Sequence, residues 1–267
     1  YSKLFPYNEE PLFWIHLNVD YPFRLQGILY FPKIKNELDL QKDRIKLFCQ
    51  QVFVTDNAHD VLPEFLMMLQ GVIDCPDFPL NVSRSALQND PYVQKISRHI
   101  IKKIADKHVT LFKKERDTYH NYWADIHPFV KYGIMNDNDF YDKVKEAVIF
   151  KNSNGDYTTI PDYLERNKDK NKNTVIYSSN KDLHQHYIDI LTQQCKEVLC
   201  FDNPIDTHFI QFLEMRDTTV KYSAVDSDAL NDLIEDKSDT KDDEKEDSPK
   251  TKNKGNEAIE TIFKDAL

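Results

Sequence analysis

The stretch "VFVTDNAHDVLPEFLMMLQGVIDCPDFPLNVSRSALQ", residues 52–88, alternates strand-like and turn-like sequence and ends in a proline-rich segment that carries an arginine. Short apolar runs broken by Pro, Asn and Asp are typical of strands joined by turns. This stretch and the residues before it contain four strand candidates and one short helix candidate. The strand candidates are residues 12–19, 23–31, 44–55 and 68–75, and the helix candidate is residues 61–66. We therefore predict a sheet packed against helices in the first third of the chain.

Downstream of this stretch the hydrophobic period changes from two residues to three or four. Residues 91–123 place apolar side chains at helical spacing, with Pro91 in the first turn, and predict one long amphipathic helix. Residues 139–150 predict another helix. Strands then alternate with helices, which indicates a small, mainly parallel sheet. The predicted strands are 174–179, 197–201 and 218–225, and the predicted helices are 181–195 and 205–215.

These patterns give an α/β (α+β) fold class with several parts. We predict a large α/β layered subdomain over 1–90, a helical connector over 91–137 and a smaller α/β/α subdomain over 138–234. Residues 235–257 are charged and lack apolar side chains, so they predict a flexible linker. Residues 258–267 begin a further amphipathic helix, which we interpret as the start of a truncated C-terminal domain. Because the chain starts at Tyr1 without a Met, we expect it to be a fragment of a longer protein.

Composition excludes several classes of function. The 267 residues carry a net charge of -10, which argues against nucleic acid as the main partner. No apolar run is long enough for a membrane helix, and no signal peptide is evident. The four cysteines form no CxxC pair, so we expect reduced structural thiols in a cytoplasmic protein. The five glycines lie too far apart for either common phosphate-binding loop. They are Gly27, Gly71, Gly133, Gly155 and Gly255.

The arginine at position 84 raises the main chemical question. If a helix begins near Ser83, the positive end of that helix repels Arg84. At helical spacing, Asn81, Arg84 and Gln88 project in roughly one direction. A helix N-terminus and a guanidinium both attract an anion, so this arrangement suits a phosphate delivered by another domain, as in an arginine finger. The alternative is a structural ion pair between Arg84 and a nearby carboxylate, and spacing alone favours it. The two candidate carboxylates are Asp74 and Asp77.

Residues 52–88 closely resemble the middle domain of the heat-shock protein 90 chaperones. The hallmark segments are "VFVTD", "LPEFL", "GVID" and "PLNVSRSALQ". Further matches are "PLFWIHLNVDYPFRLQGILYFPK" (11–33), "FVKYGIM" (129–135) and "VDSDALNDLI" (225–234), and the last two look like the bacterial HtpG form. The resemblance covers the chain from about residue 11 to residue 234.

The resemblance implies specific roles. In this family an N-terminal ATPase domain holds ATP and Mg²⁺, and a C-terminal domain forms a homodimer. Arg84 matches the arginine that contacts the γ-phosphate, and Asn81 and Gln88 match residues that position its loop. Phe53 matches an aromatic that packs against the N-terminal domain, although Phe53 in an ordinary strand core is the alternative. Many relatives carry Glu where Ser85 stands, so the resting geometry of this loop is in doubt.

The implied function is the middle domain of an ATP-dependent chaperone that binds partly folded client proteins and is no enzyme by itself. Two rivals remain: an interaction scaffold in which Arg84 is structural, and a stand-alone enzyme acting on a phosphorylated ligand. The HxH pair at 184 and 186 faces two sides of a helix, which disfavours a metal site. The aromatic cluster is expected to pack inside, with client contact as the alternative, and for Trp14 the sequence leaves both open. The cluster comprises Tyr119, Tyr122, Trp123 and Phe129.

Overall fold

The computed structural model describes residues 1–6, 8–33, 45–56, 58, 62–78 and 90–227. These residues belong to one compact unit, Tyr1–Leu230. Helices and two mixed sheets make up this unit, and the predicted α+β fold class is confirmed. The division at residues 90, 137 and 234 stays a prediction, and the predicted linker and C-terminal segment lie outside the described residues.

The first sheet has five strands in the spatial order β1-β2-β5-β3-β4. Its strands are β1 (Phe13–Val19), β2 (Leu25–Phe31), β3 (Ile45–Cys49), β4 (Val52–Thr55) and β5 (Gln70–Asp74). Strand β5 pairs antiparallel with β2 and parallel with β3. Along β1 every second side chain is buried, as the alternation in its sequence predicts. In β1, one face of the strand therefore belongs to the core and the other is exposed.

The predicted strand over 44–55 is wrong as a single element, because the chain reverses in its middle. Gln50 and Gln51 have φ values of 52° and 66°, and they join β3 to β4 as a two-residue hairpin loop. Positive φ at both positions is the pattern of a type I′ loop, which usually contains Asn or Gly. Gln-Gln carries no such signal. The backbone N–H of Gln51 donates to Asp74 Oδ2 at 2.9 Å, which holds the turn against the end of β5.

The long helix predicted over 91–123 is also two elements. Helix α1 (Pro91–Lys114) ends at Glu115, whose φ and ψ of -134° and 54° are not helical, and α2 (Arg116–Asn136) follows. Pro91 occupies the first helical position as predicted. The Asp90 side chain caps this helix by accepting from the Tyr92 backbone N–H at 2.7 Å. The short helix predicted over 61–66 is a 3-10 helix over Glu64–Met68.

Helix α3 (Asn138–Val144) leads into a second 3-10 helix (Lys145–Ala147), so the helix predicted over 139–150 ends early. A second sheet follows, with strands in the order β10-β8-β9-β6-β7. Its strands are β6 (Phe150–Asn152), β7 (Tyr157–Thr158), β8 (Thr174–Ser178), β9 (Leu199–Cys200) and β10 (Lys221–Ala224). Strand β8 is parallel to β9 and β10, but β6 is antiparallel to both neighbours. The sheet is therefore mixed rather than mainly parallel, because the polar turn after residue 152 closes a hairpin.

Three helices accompany this second sheet. They are α4 (Ile160–Asn171), α5 (Gln185–Gln193) and α6 (Pro204–Arg216). A continuous set of buried apolar side chains runs from the first sheet through α1 and α2 to the second sheet. Tyr119, Trp123 and Phe129 lie in it and the half-buried Tyr122 packs against it, which confirms the packing role predicted for that cluster. In the described residues, no helix combines the length and the apolar character needed to cross a membrane.

Candidate functional site

The predicted catalytic residues lie in one segment that the structure does not describe. Asn81, Arg84, Ser85 and Gln88 all fall within residues 79–89, outside the described residues. The structure does describe both ends of that segment. Strand β5 and residues 75–78 lead into it, and Asp90 and α1 lead out of it. The site can therefore be built from its two anchors and from the neighbouring edge strand.

The entrance is anchored by Asp77. Arg24, which precedes β2, donates from Nη2 to Asp77 Oδ1 at 2.8 Å, and its backbone N–H donates to Asp77 Oδ2 at 3.0 Å. The Arg24 side chain, followed by its backbone N–H, lowers the pKa of Asp77 to about 2. Asp77 is thus a firmly ionised carboxylate that Arg24 already engages with both its side chain and its backbone.

Asp74 is the second carboxylate considered as a structural partner of Arg84, and one of its oxygens can still accept a hydrogen bond. Asp74 accepts from Gln51 through Oδ2, while its Oδ1 is buried and has no hydrogen-bond partner within the described ranges. A buried carboxylate oxygen without a donor is costly. Of the two carboxylates, Asp74 is therefore the better candidate for the structural alternative.

The exit of the segment lies close to its entrance. Burial first, and then the neighbouring Asp77 carboxylate, raise the pKa of Tyr92 to about 12. The Tyr92 hydroxyl in turn contributes to lowering the pKa of Asp77. Residues on either side of 79–89 thus meet at one carboxylate. Sequence reasoning missed both contacts: Arg24 lies 53 positions from Asp77, and Tyr92 lies on the far side of the segment, so neither contact leaves a local pattern.

Phe53 lies on β4, the edge strand of the first sheet. Its side chain is 52% exposed, and its ring meets only the Phe48 ring edge-on at 5.7 Å among the described aromatic contacts. Val52 and Val54 beside it are 66% and 39% exposed. The alternative that Phe53 is a strand core residue is therefore wrong. Its predicted contact with an N-terminal domain stays a prediction.

Strand β4 shares an apolar wall with the entrance of the segment. Behind β4 lies a gap of about 10 Å³ with apolar walls. Val54 from β4, Phe78 from the entrance, and Ile96 and Ile100 from α1 all line this gap. Val54, Phe78 and α1 therefore face one another across a single small gap.

The remaining candidates do not join this site. In the described part of the chain, no group of three or more His, Cys, Asp or Glu side chains is placed to hold a metal ion. His184 contacts Ser178 Oγ through Nδ1 at 3.1 Å and Asp226 through Nε2 at 3.6 Å. All four cysteines are free thiols.

Trp14, for which the sequence left two environments open, is 54% exposed on the outer face of β1.

Comparisons with known proteins identify the family. The family model described as "Hsp90 protein" matches residues 1–267. The chain is 42% identical to the chaperone protein HtpG of Bacteroides fragilis over 274 residues, covering 100% of this chain and 39% of that protein. It is 45% identical to HtpG of Porphyromonas gingivalis over 242 residues, covering 88% of this chain and 35% of that protein. The chain thus spans less than half the length of these relatives.

A solved structure supports the fold. The middle domain of a putative heat shock protein from Plasmodium falciparum superposes with a TM-score of 0.66 at 21% sequence identity. The superposition covers 85% of this chain and 92% of that domain. With the match over the whole sequence, the HtpG relatives and this shared architecture together, the chain belongs to the Hsp90 family.

Proposed function

We propose that this chain is the middle segment of an ATP-dependent chaperone and that Arg84 acts on a nucleotide held by a separate N-terminal domain. The match to the Hsp90 family over residues 1–267 carries the proposal. In the closed state the Arg84 guanidinium contacts the γ-phosphate of ATP and stabilises charge that develops there during hydrolysis. Asn81 and Gln88 orient the guanidinium, and ATP and Mg²⁺ belong to the N-terminal domain.

Two features of the described residues support this assignment. Asp77 lies just before the segment that carries Arg84, and Tyr92 lies just after it. Arg24 and Tyr92 both contact Asp77, so the two ends of the segment are held together. The neighbouring edge strand exposes Phe53 and the valines beside it, as expected of a surface that another domain covers.

The wider activity follows from the same proposal. The complete protein dimerises through its C-terminal domain, binds partly folded clients and works in the cytoplasm. In the aromatic cluster Tyr119, Trp123 and Phe129 are buried and offer no client surface, whereas Trp14 is exposed and is a candidate for that role.

The test compares ATP turnover in the longer protein that contains this segment and its N-terminal domain. We expect Arg84→Ala to lower turnover by about 10²–10³-fold, the usual cost of losing one charge-stabilising donor. ATP affinity should change little, because the contact forms mainly in the reacting state. Arg98→Ala is the matched control, since Arg98 is an exposed arginine on α1.

The outcomes separate the rival functions. Unchanged turnover in Arg84→Ala would reject the proposal and favour the scaffold in which Arg84 is structural. In that case the variant should instead lower the free energy of unfolding, because it would leave a buried carboxylate oxygen such as Asp74 Oδ1 without its donor.

A further inference from the structure

Two of the free thiols, Cys49 and Cys75, lie at the ends of neighbouring strands in the first sheet. Cys49 is the last residue of β3, and Cys75 follows directly after β5. The two strands run parallel, and their register pairs Phe48 with Asp74, one position before the two cysteines. The Cys75 backbone N–H donates to the Phe48 carbonyl at 3.0 Å, so the pairing of the strands continues up to Cys75. Cys49 and Cys75 are therefore neighbours across the two strands.

Both thiols lie on the same face of the sheet. Leu47 in β3 and Ile73 in β5 are a buried register pair, and each cysteine lies two residues further along that face. Neighbouring strands are about 4.8 Å apart, and a disulfide usually joins Cα atoms about 4.4–6.8 Å apart. The Cys49 thiol also donates to the Pro76 carbonyl at 3.6 Å, which places its sulfur beside the residue that follows Cys75. The backbone thus holds the two thiols at a distance that a disulfide can bridge.

The environments of the two sulfur atoms differ. Cys49 is the more exposed residue, at 6% against 2% for Cys75. Burial raises the pKa of Cys75 to about 11, and the neighbouring Cys49 contributes to that rise. Cys75 also lines the gap of about 10 Å³ behind β4, so its side chain has free space beside it. Since exposure and thiolate character control the reaction of a cysteine with an oxidant, Cys49 should react first and Cys75 second.

We propose that Cys49 and Cys75 form a redox modification site, which hydrogen peroxide converts into a reversible disulfide. The Cys49 thiolate attacks one peroxide oxygen and becomes a sulfenic acid, and the hydroxide that leaves takes up the thiol proton and becomes water. The Cys75 sulfur then loses its proton and displaces the hydroxyl group of the sulfenic acid, which forms the S–S bond and releases a second water. Two thiols thereby lose two hydrogen atoms, and one peroxide molecule is reduced to two molecules of water.

The site lies next to the segment around Arg84. Residues 76–78 lead from Cys75 into that segment, so the disulfide ties the entrance of the segment to the end of β3. Disulfides that form in reducing compartments are usually transient and redox-sensing, because cellular thiols reduce them again. The free thiols of the structure are the reduced state of this pair.

Peroxide oxidation of this chain tests the pair directly, in the background of Cys195→Ser with Cys200→Ser, where no other thiol remains. We expect the intact mass of the folded chain to fall by two hydrogen atoms, and both thiols to disappear together from the thiol count of the denatured protein. Proteolysis should then give a peptide pair that links Cys49 to Cys75, and dithiothreitol should restore both thiols. The rate should rise with pH, because the thiolate is the attacking form. The reaction needs no nucleotide and no second domain, so its outcome is independent of the ATPase proposal.

Two variants in the same background are the controls. Cys75→Ser keeps the first sulfur and removes the second, so dimedone should trap a sulfenic acid on Cys49 and no cross-link should form. The register-shifted variant, Cys49→Ser with Ile45→Cys, keeps two buried thiols but moves one of them four residues along β3, to the position that pairs with Gly71. Its cross-link should form at least about tenfold more slowly, because Cα atoms more than about 7 Å apart cannot be bridged without backbone movement.

Three results would overturn the proposal. The first is that peroxide only adds oxygen atoms to the chain and does not join the two thiols. The second is that the cross-link connects two chains rather than two residues of one chain. The third is an equal rate of cross-linking in the register-shifted variant, which would mean that the bond forms in the unfolded chain and owes nothing to the pairing of β3 with β5.

Discussion

At the scale of single residues, His108 is the least expected member of the core. Its side chain is fully buried among aromatic rings, with Phe31 at 5.2 Å and Phe129 stacked at 5.8 Å. Neither ring nitrogen has a hydrogen-bond partner in the described residues. Burial, and secondarily Lys107, lower the pKa of His108 to about 3. The folded protein therefore requires a neutral imidazole at this position.

This requirement predicts an acid sensitivity. In the unfolded chain a histidine has a pKa of about 6.5, so below that pH the unfolded state binds a proton that the folded state rejects. Stability should fall as the pH drops from about 6.5 towards 3, by up to about 1.4 kcal/mol per pH unit for this one residue. His108→Leu removes that contribution. Urea unfolding at pH 7.5, 6 and 5 should show a shallower loss of stability in the variant.

The control for this variant is His186→Gln, an exposed substitution that should leave the pH slope unchanged. Some slope will persist in His108→Leu, because burial also lowers the pKa of His127 to about 3. At pH 7.5 the variant should be no less stable than the parent, since leucine leaves no unsatisfied nitrogen in the core. Equal pH slopes in the parent and His108→Leu would contradict the argument.

At the scale of elements, one buried ion pair joins α2 to α6. Lys131 donates to Asp206 Oδ1, and both side chains are 5% exposed. Asp206 also accepts from the Asn203 backbone N–H through Oδ2, as part of the capping box that starts α6. Burial lowers the pKa of Lys131, and the Asp206 carboxylate opposes that shift. The pair thus fixes the start of α6 against the long helices.

We expect Lys131→Met to lower the free energy of unfolding by about 3–5 kcal/mol, because it strands the Asp206 charge in the core. Lys143→Met is the matched control, since it breaks an exposed pair with Asp106 and should cost at most about 1 kcal/mol. Adding Asp206→Asn to Lys131→Met should restore part of the loss, because Asn keeps an acceptor for the helix cap. Equilibrium urea unfolding measures all three variants. Similar losses in the two lysine variants would refute the prediction.

The elements also show where sequence reasoning succeeds. The alternation in β1 and the start of α1 at Pro91 were predictable because each depends on a local pattern. The hairpin turn at Gln50 and Gln51 was missed, since no Asn or Gly marks its positive φ values and the hydrogen bond from Gln51 to Asp74 that holds it spans 23 positions. The break at Glu115 was missed for a related reason: no Gly or Pro marks it, and the apolar period continues past it.

In the candidate site, too, a local motif was predictable from the sequence, whereas contacts between distant residues were not. The segment around Arg84 was identified from a family motif, since its spacing alone favoured an ordinary ion pair. Its anchor, Asp77 with Arg24, joins residues 53 positions apart and follows only from the register of the sheet. The mixed second sheet likewise depends on a hairpin of two- and three-residue strands, too short for a periodic signal.

At the scale of the whole molecule, the edge strand β4 stands out from an otherwise strongly charged protein. Net charge is -10, yet β4 exposes three consecutive apolar side chains, Val52, Phe53 and Val54. Exposed apolar edge strands invite pairing with other chains, and proteins usually cover them. Val54 of this strand faces the same small gap as Phe78 and α1, so β4 lies next to the entrance of the segment that carries Arg84.

Phe53→Glu tests whether β4 belongs to the proposed interface with the N-terminal domain. The substitution should leave the stability of the isolated chain nearly unchanged and lower the ATP turnover of the longer protein. The side chain is half exposed, so the isolated chain should lose less than about 1 kcal/mol of unfolding free energy. If β4 forms the proposed interface with the N-terminal domain, a carboxylate there opposes closure in the longer protein, and ATP turnover should fall at least about tenfold. Trp14→Glu is the control at the opposite edge of the same sheet, with a similar exposure of 54%. It should leave turnover unchanged and instead weaken the suppression of client aggregation, and equal turnover in the two variants would mean that β4 does not couple the domains.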